Sequence, residues 1–267
     1  MLNYHKTWRL INSGPCSASY NMALDEAIAI SVRKGNSLPA LRLYSWDRPS
    51  VSLGCFQRIG DINTEYCRDS DIPIVRRPTG GRAILHNSEL TYSFSIRDDH
   101  EAFSKGLLDS YSRISTAFGL AFRKIGVQAE SKKQREKGRI LTRSPLCFQS
   151  SSFGEILINN KKIVGSAQKR WRDGLLQQGS IPYSIEESLV RKVFRLNPSQ
   201  DLKESLAGLK DIISALNEEE FRETIRISFE ETFDISFIPA VPSPEEEATA
   251  LRLEKEKYQT PQWNLRQ

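Results

Sequence analysis

Cys147 is the residue of this chain whose surroundings best suit nucleophilic chemistry. It lies in the segment SPLCFQ at 144–149, directly after a basic stretch at 130–143. That stretch carries six positive side chains: Lys132, Lys133, Arg135, Lys137, Arg139 and Arg143. Nearby positive charge favours the thiolate, and a thiolate can exchange an acyl group with another thioester at little cost. Cys147 is therefore the candidate nucleophile, although a solvated surface loop is the simplest interpretation of the basic stretch itself.

The other three cysteines, Cys16, Cys55 and Cys67, lack such a setting. They form no C-x-x-C pair, and a chain of 267 residues needs no disulfide to build a core. We therefore expect each of them to be a small buried apolar residue, and we expect neither a disulfide nor a metal site.

A second candidate is the segment RRPTGGRAILH at 76–86. Its paired glycines let the backbone approach a ligand closely and expose N–H groups to acyl or phosphate oxygens. His86 ends the segment, where it could act as a general base, as an orienting donor or as a structural side chain. The pattern alone leaves a plain hairpin turn open as the alternative.

A third candidate is Lys162 in the segment KIVGSAQ at 162–168. On an alternating strand Lys162 shares a face with Val164 and Ser166, beside small residues that leave space for a substrate. A lysine in that position could donate a hydrogen bond to an acyl carbonyl and stabilise developing negative charge. An edge-strand lysine that limits aggregation is the alternative, and Lys161 points the other way.

The elements that must position these residues follow from local periodicity. Apolar residues recur at helical spacing over 19–32 and 107–125, which predicts amphipathic helices there. The run from Thr91 to Ile96 alternates strictly and predicts a strand with one buried face. Short β-type runs predict further strands: an opening strand at 7–12, a hairpin at 41–57, a strand–turn–strand unit at 74–85 and a hairpin at 155–169.

The chain after Ile185 changes to a helical pattern. Helices are predicted at 185–195, 201–215 and 217–232, and a last helix begins after Ser243, which can cap it with Pro244 in the first position. We therefore expect a β-rich core followed by a C-terminal helical extension.

Composition places the chain among ordinary globular proteins, with 39% hydrophobic and 27% charged residues. The first residues lack the apolar core of a secretion signal, and no apolar run reaches the roughly 18 residues of a membrane span. We expect a cytoplasmic protein that binds no membrane. The net charge of +5 favours an acidic protein partner over nucleic acid, because aromatic residues do not alternate with the basic ones.

The segments of the chain together resemble the biotin/lipoate A/B protein ligase superfamily, and within it the cysteine-dependent octanoyltransferases of lipoate assembly. The resemblance extends from Trp8 to about Tyr183, with a weaker match at 258–264. The matching segments are NMALDEA at 21–27, RRPTGGRAILH at 76–86, LTYSFSI at 90–96, CF at 147–148, KIVGSAQKR at 162–170 and LLQQGSI at 175–181. Several segments in the same order are far more specific than a lone Gly-Gly.

The resemblance implies an α+β fold, a mixed β-sheet flanked by helices, with a catalytic core at 1–184 and a helical extension at 185–267. It implies that Cys147 is the acyl-accepting nucleophile and that Lys162 binds the acyl carbonyl. It also implies the residues that line the acyl site: Arg77, Thr79, Gly80, Gly81, Arg82, His86, Gly165, Ser166 and Ala167.

Two departures separate this chain from the ATP-dependent ligases of the same superfamily. Arg82 stands where those ligases usually have a third glycine that makes room for nucleotide phosphates. Asn87 follows His86 where many members have aspartate, so His86 lacks a possible orienting carboxylate. Both departures favour a transferase that requires neither a nucleotide nor a metal cofactor.

The sequence thus predicts a ping-pong transfer of octanoyl from acyl carrier protein through Cys147. The acceptor is a lysine of a lipoyl-accepting protein, such as the glycine-cleavage H protein or a dehydrogenase E2 subunit. Either Lys162 or His86 could take the proton of that lysine. An ATP-dependent lipoate ligase, a transferase between two lipoyl-domain proteins and a non-catalytic carrier-binding protein are the alternatives, and a monomer is expected.

Overall fold

The computed structural model of the chain describes residues 6–100, 103, 106–131, 156–159, 161–196, 202 and 206–266. Cys147 and the basic segment at 132–143 lie outside these residues, so their predicted roles are not tested by the structure. No helix within the described ranges is both long enough and apolar enough to cross a membrane.

The main sheet is mixed and contains eight of the described strands. They are β1 (Thr7–Cys16), β2 (Ala40–Trp46), β6 (Glu89–Arg97), β7 (Glu130–Ser131), β8 (Ile156–Ile158), β9 (Lys161–Trp171), β10 (Gly174–Pro182) and β11 (Ser236–Ala240). Their spatial order is β11-β1-β2-β6-β10-β9-β8-β7. Strand β1 runs parallel to both of its neighbours, and every other neighbouring pair is antiparallel.

A small second sheet has the order β4-β3-β5, with β3 (Ser50–Leu53) between β4 (Ile74–Arg76) and β5 (Ile84–His86). The predicted hairpin at 41–57 is therefore wrong, because β2 and β3 join different sheets. The predicted strand–turn–strand unit at 74–85 is confirmed as β4 and β5, but the alternative of a plain hairpin is wrong, because each strand pairs with β3, on opposite edges. The turn signals marked the ends of these strands but not their partners.

The helices are α1 (Ala18–Arg33), α2 (Thr64–Asp69), α3 (Leu107–Lys124), α4 (Glu187–Phe194), α5 (Glu218–Phe233), α6 (Pro244–Leu253) and α7 (Pro261–Asn264). The predicted helices at 19–32, 107–125, 185–195 and 217–232 are confirmed within two residues at each end. Between 206 and 215 the structure contains only a short 3₁₀ turn, Leu209–Asp211, so the helix predicted over 201–215 is wrong there.

Helices cover both faces of the main sheet. On one face Phe94 packs with residues of α3 and α5 such as Phe118 and Phe229. On the other face lies α1, which begins after Ser17, whose hydroxyl accepts a hydrogen bond from the Tyr20 N–H at 3.3 Å. Strand β6 is consequently buried on both faces, not on one as its alternation predicted. The mixed sheet flanked by helices is confirmed.

The C-terminal region is built into the main sheet. Strand β11 pairs with β1, and α6 is tied to β1 by a bidentate ion pair in which Arg9 donates to both Glu246 oxygens at 2.7 and 2.9 Å. The predicted start of α6 is confirmed, with Ser243 as the cap and Pro244 in the first turn. The boundary at 184/185 stays a prediction, and the extension includes a strand as well as helices.

We predict that Glu246→Gln lowers the free energy of unfolding by about 2 kcal/mol at pH 7, because buried Arg9 loses its charged partner. Burial by itself raises the pKa of Glu246, but the hydrogen bonds from Arg9 and from the Ser243 backbone hold it below its ordinary value. This contribution is full above the pKa of the unfolded chain and is lost as the pH falls through the folded pKa.

Urea unfolding at pH 7 and near pH 3.5 should therefore show the difference between the two proteins shrinking at the lower pH. Glu247→Gln, one residue further along the same helix and exposed, is the matched control and should change stability little at either pH. An equal loss for Glu246→Gln at both pH values would contradict an electrostatic tether.

Candidate active site

A narrow cavity lies where α1, the main sheet and the small sheet meet. The main sheet contributes Tyr44, Trp46, Thr91, residues 165–167, Gln178 and Gly179 to its wall. The remaining wall comes from Met22, Ser52, Arg77, Ile84 and His86. The space between these side chains amounts to about 330 Å³ when open solvent is counted, about 20 Å³ of it can hold the centre of a water-sized sphere, and its exposed lining is mostly apolar. Such a space suits a small apolar group.

The buried carboxylate of Asp25 organises the floor beneath this cavity. Its Oδ1 accepts hydrogen bonds from Arg42 Nη1 at 2.8 Å and from the Ser93 hydroxyl at 2.6 Å. Its Oδ2 accepts from the Tyr44 hydroxyl at 2.8 Å and from Gln178 Nε2 at 2.7 Å. Burial, followed by the charge of Asp25, raises the pKa of Tyr44 well above its ordinary value. Tyr44 therefore remains a neutral donor to this carboxylate.

Asn21, one helical turn before Asp25, holds the same arginine. Its side-chain oxygen accepts from Arg42 Nη2 at 2.7 Å, and its amide donates to the carbonyls of Cys16 and Ser45. The polar positions of the segment NMALDEA thus fix α1 against β1 and β2. The contacts of Asn21 and Asp25 hold the fold together beneath the cavity, because each of them is made with another protein group.

Arg77 holds the turn that carries the paired glycines. Its Nη2 donates to the carbonyls of Gly80 and Arg82, both at 2.7 Å, and its Nη1 donates to the carbonyl and hydroxyl of Ser52 at 3.0 and 3.1 Å. Gly81 has a φ of +85°, and a Cβ there would lie 2.9 Å from Arg77 Nη2. The glycine at 81 is required by its left-handed conformation and by this close contact.

The same turn is joined to the walls on either side. The Thr79 hydroxyl donates to Gln178 Oε1 at 2.9 Å, and the Thr79 carbonyl accepts from the Cys55 N–H at 2.8 Å. Gly54 lies directly against the turn, since a Cβ on Gly54 would stand 1.8 Å from the carbonyl oxygen of Gly81. Gly54 was absent from the sequence predictions because its contact is made across 27 residues of chain.

His86 is buried and uses both ring nitrogens. Nδ1 lies 2.7 Å from Glu89 Oε1, and Nε2 lies 2.7 Å from the Ser52 hydroxyl. The imidazole also stacks on Trp46, with ring centroids 3.9 Å apart and an interplanar angle of 15°. Glu89 therefore supplies the orienting carboxylate that the sequence lacks at Asn87. Both ring nitrogens of His86 therefore have protein partners, and its role in a reaction stays a prediction.

Strand β9 places Gly165, Ser166 and Ala167 along the cavity, as predicted for the acyl site. The Ser166 hydroxyl lies 2.8 Å from the Tyr92 hydroxyl, which also accepts from Gln177 Nε2 at 2.9 Å. Burial raises the pKa of Tyr92 to about 12, against the hydrogen bonds from Ser166 and Gln177. This tyrosine is therefore a neutral hydrogen-bonding group at ordinary pH.

Lys162 is buried on the same strand, whereas Lys161 is partly exposed. Among the described residues the cavity lining begins on β9 at Gly165, about 10 Å along the strand from Lys162. The predicted burial of Lys162 is confirmed. Its contact with an acyl carbonyl stays a prediction.

Cys55 and Cys67 are buried as the sequence predicts, whereas Cys16 is only partly buried. Burial raises the pKa of Cys67 to about 11, and burial is also the largest cause of the raised pKa of Cys16. Neither thiol therefore favours the thiolate at neutral pH. Cys147 lies outside the described residues and stays the predicted nucleophile.

The weak match at 258–264 has a structural meaning. The Asn264 side-chain oxygen accepts from the Arg76 N–H at 2.9 Å, and the Trp263 indole N–H donates to the Arg76 carbonyl at 2.7 Å. The Arg76 guanidinium donates to backbone carbonyls of two segments, namely those of Gly54, Cys55, Gln57, Trp263, Asn264 and Arg266. The end of the chain is thus bound to the strand that leads into the glycine turn.

The structure brings together most of the predicted binding residues. Arg77, His86 and 165–167 line the cavity, while Thr79 and Gly81 contact its walls. Sequence reasoning missed Trp46, Glu89, Gln178 and Gly179. The last two belong to the matching segment LLQQGSI, but their place in the wall depends on how β10 pairs with β6 and β9, which local spacing does not specify.

The comparisons with known proteins agree on one family. Residues 17–230 match the lipoyl protein ligase A/B catalytic domain family. The octanoyltransferase LipM of Kyrpidia tusciae is 36% identical over 274 residues, covering 98% of this chain and 99% of that protein. The octanoyltransferase LipM of Geobacillus kaustophilus is 35% identical, with the same coverage.

Solved structures share the fold. Protein Ta0514 of T. acidophilum with bound lipoic acid superposes with a TM-score of 0.82 at 24% identity, covering 97% of this chain and 99% of that one. Lipoate-protein ligase A bound with ATP superposes with a TM-score of 0.81 at 24% identity, covering 97% and 98% of the two chains. At this identity the likeness extends to the fold alone.

We predict that Gly54→Ala lowers the free energy of unfolding by more than 2 kcal/mol, because its methyl group would overlap the Gly81 carbonyl. Gly60→Ala is the matched control, since a Cβ at Gly60 meets no atom within 4 Å. Urea unfolding of both variants measures the difference. Equal stability of the two would show that the loop at Gly54 moves away from the turn without cost.

Proposed function

The chain belongs to the lipoyl protein ligase A/B catalytic domain family, and from this premise we propose that it is an octanoyltransferase of lipoate assembly. The observation that carries the proposal is the sequence similarity of octanoyltransferases to this chain over nearly its whole length, at 32–36% identity. The apolar cavity beside the glycine turn supports it, because each buried methylene of an acyl chain contributes about 0.8 kcal/mol to binding.

The first step of the proposed reaction forms an acyl-enzyme. The Cys147 thiolate attacks the carbonyl carbon of an octanoyl thioester, so that a new C–S bond forms while the carbon–sulfur bond to the carrier breaks. The carrier leaves as a thiolate and takes up a proton. Both sides of this exchange are thioesters, and a positive environment from 132–143 would keep Cys147 ionised.

The second step transfers the acyl group to nitrogen. The ε-ammonium group of an acceptor lysine first loses a proton, and the neutral amine then attacks the thioester carbonyl, forming a C–N bond. The C–S bond then breaks, Cys147 leaves as a thiolate and the nitrogen loses its second proton. A hydrogen bond from Lys162 would stabilise the oxyanion in both steps. His86 is a weaker candidate for the base, because both of its ring nitrogens have protein partners.

The partners follow from this chemistry as part of the proposal. Octanoyl acyl carrier protein is the proposed donor, and its acidic surface would dock on the basic segment 132–143. The proposed acceptor is a lipoyl domain such as the glycine-cleavage H protein or a dehydrogenase E2 subunit. We propose that the reaction takes place in the cytoplasm and that the enzyme is a monomer.

A transferase fits the glycine turn better than an ATP-dependent ligase. The Arg77 side chain fills the space beside the Gly81 backbone, at 2.9 Å from the position of a Cβ. Arg82, the residue after Gly81, stands where ligases of this superfamily usually have a third glycine. A nucleotide phosphate would need that room to approach the backbone.

The central test is intact-protein mass spectrometry after mixing the enzyme with octanoyl acyl carrier protein in the absence of ATP. The wild type should gain one octanoyl group that hydroxylamine removes, and Cys147→Ala should gain none, because the thioester needs the sulfur. Cys67→Ala is the matched control and should be acylated like the wild type. If acceptor modification instead requires ATP and free octanoate, the chain is a ligase.

We predict that Lys162→Met slows formation of the acyl-enzyme by about 100-fold, the usual loss when one oxyanion donor is removed. Methionine keeps the length of the buried side chain, and Lys161→Met on the same strand is the matched control. Rapid-quench single-turnover acylation, followed by mass spectrometry, measures both rates. Equal rates for the two variants would remove Lys162 from the reaction.

A further inference from the structure

One aromatic side chain near the glycine turn lies almost wholly in water. Phe56 is 90% exposed, more than any other large hydrophobic side chain in the described part of the chain. A single exposed ring is common on protein surfaces and does not by itself mark a binding site. Phe56 differs from such a ring in the way its backbone is held and in the charges that surround it.

The backbone around Phe56 is fixed by hydrogen bonds. The Gln57 N–H donates to the Gly54 carbonyl at 3.0 Å, which closes a tight turn that carries Phe56. From behind, Arg76 Nη1 donates to the carbonyls of Gly54, Cys55 and Gln57 at 2.8, 3.4 and 2.6 Å. The ring is therefore presented to solvent from a backbone that is held in one position.

This turn lies against the glycine turn that borders the cavity. A Cβ on Gly54 would stand 1.8 Å from the carbonyl oxygen of Gly81. Arg77, which lines the cavity, donates to the carbonyl of Gly80 at 2.7 Å in the same glycine turn. Phe56 is thus two residues away from a direct contact with the element that shapes the cavity wall.

The surface around Phe56 is basic. Arg58 is exposed two residues further along the chain, and Arg266 reaches the turn from the end of the chain, where its Nη2 donates to a backbone carbonyl at 2.6 Å. Within the described ranges neither arginine forms an ion pair with a carboxylate. The carboxylate of this loop, Asp61, accepts instead from Gln57 Nε2 at 3.1 Å.

Two further cations border the same surface. Arg82 follows Gly81 in the glycine turn. Burial is the largest cause of the lowered pKa of Lys169 on β9, and the Cys55 thiol is among the groups near enough to act on it. An apolar ring surrounded by positive charge is complementary to a partner that presents an apolar patch among carboxylates. The Phe56 surface is defined here as Phe56, Arg58, Arg82, Lys169 and Arg266.

The chemistry of the two substrates decides which partner contacts this surface. An acceptor lysine has a side chain of four carbons and reaches only about 6 Å beyond its own backbone. The domain that carries it must therefore touch the protein close to the bound acyl group. A carrier protein delivers its acyl group on a long flexible arm, so its body can dock further away, as proposed for the segment 132–143.

We infer that the Phe56 surface docks the acceptor domain and that Phe56 is the apolar anchor of this contact. The inference rests on the proposed octanoyl transfer and adds to it the surface that recognises the second substrate. The partner is a lipoyl-accepting domain whose acceptor lysine is bordered by carboxylates and by an apolar depression that receives the ring. The surrounding cations steer this acidic face and orient it.

The test separates the two half-reactions. Octanoyl-enzyme is formed with octanoyl acyl carrier protein, freed from the carrier and mixed with increasing concentrations of unmodified glycine-cleavage H protein. Rapid-quench mass spectrometry then follows the loss of the octanoyl group. Phe56→Ser should raise the half-saturating concentration of the H protein about 30-fold, the usual loss when an anchoring side chain is truncated. Octanoyl-enzyme formation and transfer to a short peptide with one lysine should keep their wild-type rates.

Arg58→Glu should raise the same half-saturating concentration, by a factor that decreases as salt is added, because salt screens exposed charges. Val241→Ser is the matched control for Phe56→Ser. Val241 is 78% exposed and directly follows β11, at the far edge of the main sheet. Its half-saturating concentration and its rates should equal those of the wild type.

An unchanged dependence on H-protein concentration in Phe56→Ser would overturn the inference and leave the transferase intact. Slower formation of the octanoyl-enzyme in this variant, with normal transfer to the H protein, would also overturn it, because the donor would then occupy the Phe56 surface. Failure of the wild type to form any octanoyl-enzyme would instead refute the proposed function.

Discussion

The arrangement around the cavity depends on the buried carboxylate of Asp25. Its two oxygens accept four hydrogen bonds, from Arg42, Tyr44, Ser93 and Gln178, which accounts for all of their ordinary acceptor sites. These donors come from β2, β6 and β10, so one side chain of α1 holds three strands in register. A buried ion pair adds little net stability compared with apolar packing, because both charges lose their hydration. What Asp25 contributes is one defined position of the helix over the sheet.

From Asp25 a chain of polar contacts extends to the glycine turn. Because these polar groups bond one another, the surface that faces the cavity is mainly apolar. Gln178 bonds Asp25 with its amide nitrogen and Thr79 with its oxygen. Beyond it, Arg77 satisfies the carbonyls of the turn, and Ser52 and Glu89 satisfy His86. Since the polar atoms are occupied by one another, the walls present mainly carbon to the cavity. An acyl chain can therefore be buried there without leaving protein donors and acceptors unsatisfied.

How far the sequence predicts this structure depends on the range of each interaction. Helices α1 and α3 and strand β6 follow from periodicities within the segment itself. The partner of β3 does not, because the run at 41–57 has the same turn residues whether its strands pair with each other or join separate sheets. In the site, the glycine turn and the burial of Lys162 were predictable, whereas Trp46, Glu89 and Gly54 act through contacts between distant segments. Their roles required the fold.

The two arginines at 76 and 77 show why the end of the chain and the cavity form one unit. Arg77 closes the glycine turn from within, while Arg76 turns to the other side and joins the loop at Gly54 to the backbone of Trp263 and Asn264. A buried guanidinium without a carboxylate needs several carbonyls, and burial, followed by the charge of Arg266, lowers the pKa of Arg76. Because Gly54 lies directly against Gly81, the C-terminal segment supports the glycine turn through Arg76. The C-terminal segment at 263–266 is thus part of the structure that shapes the cavity.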